Sequence, residues 1–175
     1  MGRQIGTRGE LSFELAHHCV EALNEQAATE GTGLAIAIEL SRSEFLTTED
    51  RDFAGDVLRP DEVAHLKWCR GAANHIAGSA KPGYGAWQRE CNQALWDALP
   101  STNRQGLPRD HTILFHLRKI ERLLLRRFDY YERIITAILP EEFASGIERL
   151  KLDETRHIGW GKNVTNRLRF ERADD

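Results

Sequence analysis

Apolar residues recur along this chain at steps of three and four, the repeat of an α-helix with one buried face, in four separate stretches. The first runs from about residue 10 to 42, with Ala16, Val20, Leu23, Ala27, Glu30, Leu34, Ala37 and Ser41 in phase. Gly31 and Gly33 fall inside it. They weaken the helix locally and point to a bend or to close packing. A turn around Glu44 to Leu46 leads into Thr47-Thr48-Glu49-Asp50, hydroxyls then acids as at a helix start. The second stretch, about 48–77, puts Leu58, Glu62, His65, Cys69, Ala72 and Ile76 in phase. Pro60 lies two residues before Glu62, which predicts either a kink or a new helix beginning there. Both readings leave 62–65 helical.

Residues 78–109 read differently. Gly78 to Gly85 has loop composition, Ala86 to Leu99 forms a short amphipathic helix presenting Trp87, Leu95 and Trp96, and Pro100 and Pro108 break the chain again. The third helical stretch, about 110–139, has Leu114, Leu117, Glu121, Leu124, Phe128, Tyr131, Ile135 and Ile138 in phase. Pro140-Glu141-Glu142 ends it and starts the fourth, about 141–170, with Ile147, Leu150, Glu154, His157, Gly161, Val164 and Leu168 inward. No segment with the two-residue period of a strand stands out. The expected fold is all-α: one domain over 1–175, a four-helix bundle running up-down-down-up. Its two hairpins are joined by a long crossover through the helical insertion at 78–109.

The exceptions to apolar character on these stripes carry the chemistry. Asp61-Glu62-Val63-Ala64-His65-Leu66-Lys67-Trp68 and Asp153-Glu154-Thr155-Arg156-His157-Ile158-Gly159-Trp160 share the pattern D-E-x-x-H-x-x-W. Residues three apart lie on one helix face, so each copy aims a carboxylate and an imidazole at one point. With 17 Glu and 7 His in the chain, roughly one Glu-x-x-His is expected by chance from composition alone. Glu14-Leu15-Ala16-His17 is read as that chance match, because it lacks the leading Asp and trailing Trp.

Hairpin arithmetic adds two more acids. Glu30 precedes Glu62 by 32 residues and Glu121 precedes Glu154 by 33. Facing residues of an antiparallel hairpin are equidistant from its turn, so each lone Glu comes level with a Glu-x-x-His pair. Glu39 and Glu132 form a rival pair, and Glu39 lies about 180° around the helix from Glu30. Four carboxylates and two imidazoles then converge, and two divalent cations would balance the buried charge.

Composition narrows the class without naming it. The 41% hydrophobic and 29% charged fractions are those of a soluble globular protein, and a net charge of −3 argues against obligate nucleic-acid binding. Cys19, Cys69 and Cys91 are odd in number and form no C-x-x-C pair, which argues against disulfides, zinc fingers and rubredoxin-type iron sites and suits a reducing compartment. The start of the chain carries no apolar signal region, and the apolar run Leu34 to Ile38 is far too short for a membrane span. A cytoplasmic location is expected. The basic run Arg118, Lys119, Arg122, Arg126 and Arg127 reads as a solvated helix face, and Trp68 and Trp160 as packing against their own motif turns.

The two Glu-x-x-His helices, each paired with a lone Glu, resemble the ferritin-like di-iron carboxylate superfamily, which includes rubrerythrins, ribonucleotide reductase small subunits and acyl-carrier desaturases. The resemblance rests on Glu30, Asp61-Glu62-x-x-His65, Glu121 and Asp153-Glu154-x-Arg156-His157. It covers the four helices and leaves out 78–109. It implies a metal site of Glu30, Glu62, His65, Glu121, Glu154 and His157, supported by Asp61, Asp153, Trp68, Trp160 and Arg156. It further implies that Asp153 orients His65 and Asp61 orients His157. The cofactor expected is two Fe ions, with Mn the alternative, since carboxylates with two imidazoles suit either metal better than zinc or copper. The expected function is a non-haem di-iron oxidase or oxygenase that uses O2 to oxidise a small organic substrate. An electron-donor protein or a second copy of the chain would be its partner. The alternatives are a ferroxidase or iron-storage protein, a peroxide-detoxifying protein, and a metal-free helical interaction protein.

Overall fold

The computed structural model describes residues 13–77, 114, 117, 118, 139 and 141–170. All regular structure among them is helical: α1 (Phe13–Leu40), α2 (Thr48–Asp52), a π-helical stretch (Phe53–Leu58), α3 (Arg59–Ala77) and α4 (Glu141–Phe170). The insertion expected at 78–109, most of the helix expected at 110–139, and Glu121 with it, lie outside the described residues.

The first turn forms where the hairpin arithmetic puts it. Thr47 caps α2, its hydroxyl oxygen accepting from the Asp50 N–H at 3.2 Å while its O–H donates to Asp50 Oδ2 at 2.6 Å. Arg51 folds back to donate to the carbonyls of Leu46 at 2.7 Å and Ser43 at 3.3 Å, satisfying the connection's polar backbone.

The helix neither stops nor restarts at Pro60. A proline ring crowds the carbonyl four residues back and offers no N–H to it, and the chain accommodates this by widening the preceding turns. The Arg59 N–H bonds Ala54 O, five residues back, and helical backbone angles (φ −59°, ψ −48°) carry straight into α3. Such a π-helical stretch inserts one residue into the helical register. Beyond Leu58 the ordinary helical repeat resumes, and Leu58 and Glu62, four residues apart, share a buried face although Pro60 lies between them.

Every residue of the stripe expected on α4, from Ile147 to Leu168, is buried, as are Leu58 through Ala72 of the stripe on the second helix; Ile76 is half-buried. Two apolar clusters result. One joins Ile36, Ala37, Leu40, Leu46, Ala54, Leu58, Leu114, Leu117, Val164 and Leu168. The other joins Leu23, Ala27, Leu66, Cys69, Ala72, Ala73, Leu139, Ile147 and Leu150. Burying a side chain of leucine size contributes about 1.5–3 kcal/mol, and these two layers hold α1, α3 and α4 together. Along each of the three helices, the buried acids and histidines fall between the two clusters. Among the described residues no helix is long and apolar enough to cross a membrane.

Candidate metal centre

Glu30 on α1, Glu62 and His65 on α3, and Glu154 and His157 on α4 are all buried. Each owes its position to the three- and four-residue spacing that puts it in phase with leucines and alanines of the clusters on either side. One ligand atom from each of Glu30, Glu62, His65 and Glu154 lies within 4.8 Å of the others, and this cluster can hold a metal ion. Glu39, the rival acid on α1, is exposed.

The two imidazoles are held alike. His65 Nδ1 faces inward, 3.3 Å from Glu30 Oε2 and 3.2 Å from Glu154 Oε1, while its Nε2 lies 3.2 Å from Asp153 Oδ2. His157 Nδ1 lies 3.6 Å from Glu62 Oε1, and its Nε2 lies 3.0 Å from Asp61 Oδ2. Each histidine thus meets the aspartate that opens the other motif, across the α3–α4 contact. With Nε2–H donated to the aspartate, Nδ1 of a neutral ring turns its lone pair towards the carboxylates, as a metal ligand requires. The ring centroids are 6.1 Å apart.

The charges within the cluster are strongly coupled. Burial raises the Glu154 carboxyl to about 7; the hydrogen bond with His65 opposes this and the charge of Glu30 adds to it. Burial by itself would lower His65, but hydrogen bonds and charge from Glu154 and Glu30 overcome it and push the ring up to about 10. His157 goes the other way, because burial outweighs the aspartate beside it. Asp61 resists its burial and is held low by His157 and Arg156. The metal-free cluster therefore carries a proton on His65 where a metal would otherwise supply positive charge.

The donors fit a metal on a further point. Both Glu154 carboxylate oxygens are buried and neither accepts a well-formed hydrogen bond; the 3.2 Å approach of His65 Nδ1 is the contact of Oε1. Beyond the His65 ring beside Oε1, the carboxylate keeps lone pairs that a cation at the cluster could take up.

Two neighbouring residues support the carboxylates, one of them, Gln26, not singled out from the sequence. Gln26, one turn before Glu30, donates to Glu30 Oε1 at 2.5 Å and is itself buried. Gly33 lies under Glu62: a Cβ built there would come within 2.6 Å of the Glu62 carboxyl carbon and 2.9 Å of Oε1. Of the bend and the close packing that Gly31 and Gly33 suggested, the structure has the close packing, and α1 continues through both. Signals existed for each residue, a Gln four residues from an inward Glu and a Gly three residues beyond it.

The tryptophans do not pack on their own motif turns. Trp68 reaches from α3 to α4, donating to Phe143 O at 3.2 Å over Gly146, where any side chain would collide with the indole. Trp160 reaches back from α4, stacking on Phe53 at 4.8 Å and donating to Asp50 Oδ1 at 3.3 Å. Three residues past an inward histidine, a side chain points about 300° around the helix, to the edge that faces the neighbouring helix. Asp50, another buried acid, is also paired with Arg167. Arg118, first of the basic run, is half-buried, its stem lying where a Cβ built on Gly161 would come within 3.0 Å of its Cγ. Cys69, one turn beyond His65, is fully buried, and burial together with the charges of Glu30 and Glu154 raises its thiol.

Comparison of the chain with protein-family models, with curated proteins and with solved structures found no match.

Proposed function

We propose that the protein is a non-haem di-iron oxidase or oxygenase of the ferritin-like kind, oxidising a small organic substrate with O2. The observation that carries the reading is the buried set Glu30, Glu62, His65 and Glu154, with His157 beside Glu62. Hard oxygen donors with imidazole nitrogens suit iron or manganese. When bound there, a pair of ferrous ions supplies the electrons for dioxygen activation.

This chain's residues have definite tasks in that reading. Glu62 and Glu154, each approached by a histidine Nδ1 from the other motif helix, would hold the metal together with Glu30 and the two histidines. Asp61 and Asp153 hold the Nε2–H of His157 and His65, fixing ring angle and tautomer. The leucine layers above and below exclude bulk water. By sequence spacing alone, four residues beyond the buried Leu117, Glu121 would be the fourth carboxylate of the set.

Anaerobic reconstitution with Fe(II), followed by metal analysis, tests the reading. About two irons per chain are expected, since two Glu-x-x-His helices with two lone Glu make a two-metal site. A value near zero would overturn it. On subsequent exposure to O2, oxidation of many irons per chain into a mineral would assign iron storage instead.

A further inference from the structure

We propose that Arg156 is a positioning residue that holds both histidines of the centre at once. One of its guanidinium nitrogens donates to Asp61 Oδ2 at 2.5 Å and to Asp153 Oδ1 at 2.9 Å. Those two aspartates meet the outer nitrogens of His157 and His65 respectively. An unbroken chain therefore runs from His65 through Asp153, Arg156 and Asp61 to His157, crossing from α3 to α4, back to α3 and again to α4.

Two nearly buried aspartates facing each other across a helix contact repel. The guanidinium between them cancels that repulsion with charge-assisted hydrogen bonds. Arg149 is no substitute, because it reaches Asp153 alone, at 3.7 Å, and its side chain is 75% exposed. The two motifs are unequal at this point. Arg156 stands three residues after Asp153, whereas the matching position after Asp61 is Ala64, which is exposed. Among the described residues, one cation thus bridges two sites that the sequence repeat would lead one to expect to be served separately.

The asymmetry supplies the test. Four forms are compared: wild type, Arg156→Ala, Arg156→Lys, and the double variant Ala64→Arg/Arg156→Ala, which moves the guanidinium to the equivalent place on the other helix. In the metal-free chain, side-chain 15N NMR of the histidines reads ring tautomer and hydrogen bonding directly. Arg156→Ala is expected to shift both His65 and His157, Arg156→Lys to shift both less, and the double variant to return both towards wild type. A shift at His65 alone, or at neither ring, would overturn the proposal, as would failure of the double variant to restore either.

Anaerobic Fe(II) titration is the second arm, and it rests on the di-iron reading. Loss of the supporting network is expected to weaken both iron equivalents by about ten- to a hundredfold, with recovery in the double variant. Weakening of one equivalent only would refute the shared role. If the wild-type chain takes up no iron, the di-iron reading falls, while the NMR arm still decides the clamp.

Discussion

The carboxylate of Glu62 on α3 lies against the bare backbone of Gly33 on α1, in space that a single methyl group at position 33 would take. In an ordinary helix interior, replacing glycine by alanine stabilises by about 0.5–1 kcal/mol. Here the added methyl must move a buried carboxylate, and the second effect wins. Gly33→Ala is expected to keep its helix content by circular dichroism while losing metal affinity by at least about tenfold, since ligand placement is what it disturbs. A variant that melts higher and binds metal as before would show that the contact does not constrain Glu62.

The protons on the cluster make the metal-free protein pH-dependent in a definite direction. His65 is raised from its ordinary value of 6.5 to about 10, so the folded chain holds that proton more tightly than the unfolded chain does. Its contribution is fully present below pH 6.5 and is lost as the pH rises towards 10. Glu154, raised from 4.5 to about 7, acts in the same sense between those values. Urea midpoints of the metal-free protein are expected to fall steadily from pH 6 to pH 9. Bound metal replaces the His65 proton, so uptake near neutral pH should release acid, measurable with an indicator dye. A rising midpoint over that range would contradict the charge state described.

Glu154→Gln separates folding from metal binding. The substitution keeps the side chain's shape and removes a buried charge that lacks a well-formed hydrogen bond. Metal binding is expected to be lost, and the fall in stability of the metal-free protein with rising pH is expected to flatten, because His65 loses a partner that holds its proton. Retained metal stoichiometry would remove Glu154 from the ligand set.

Asp50 offers the opposite control. It accepts from Trp160 and Thr47 and pairs with Arg167, tying the start of α2 to the end of α4. Asp50→Ala is expected to cost about 1–3 kcal/mol, the range for removing one partner from a buried polar group. Iron stoichiometry should be unchanged at temperatures where the variant is folded. Loss of metal in a fully folded variant would show that this node is coupled to the centre.

Helices 48–77 and 141–170 and their buried faces could be read from the chain alone, because a helix face is a matter of local spacing. The same spacing singled out Glu30, Glu62, His65, Glu154 and His157, all of them buried. It missed Gln26, whose importance depends on which oxygen of Glu30 is left to satisfy. It also put the tryptophans on the wrong helix, since whether an edge residue folds back or crosses over depends on the distance to a neighbour. The π-helical turn before Pro60 is a compromise between the ring's demand and the core's grip on Leu58, and no local pattern states that balance.

What the sequence determined by itself, then, was periodicity: which residues share a face, and which acids stand level across a hairpin. Tertiary structure decided the partners. Asp153 meets His65, Asp61 meets His157, and one arginine joins them, because α3 and α4 pack with their motif turns opposed. Contacts between residues about ninety positions apart depend on the rotation and separation of whole helices. Those are set by the summed packing of both apolar layers and by small residues such as Gly33 and Gly146 that permit close approach.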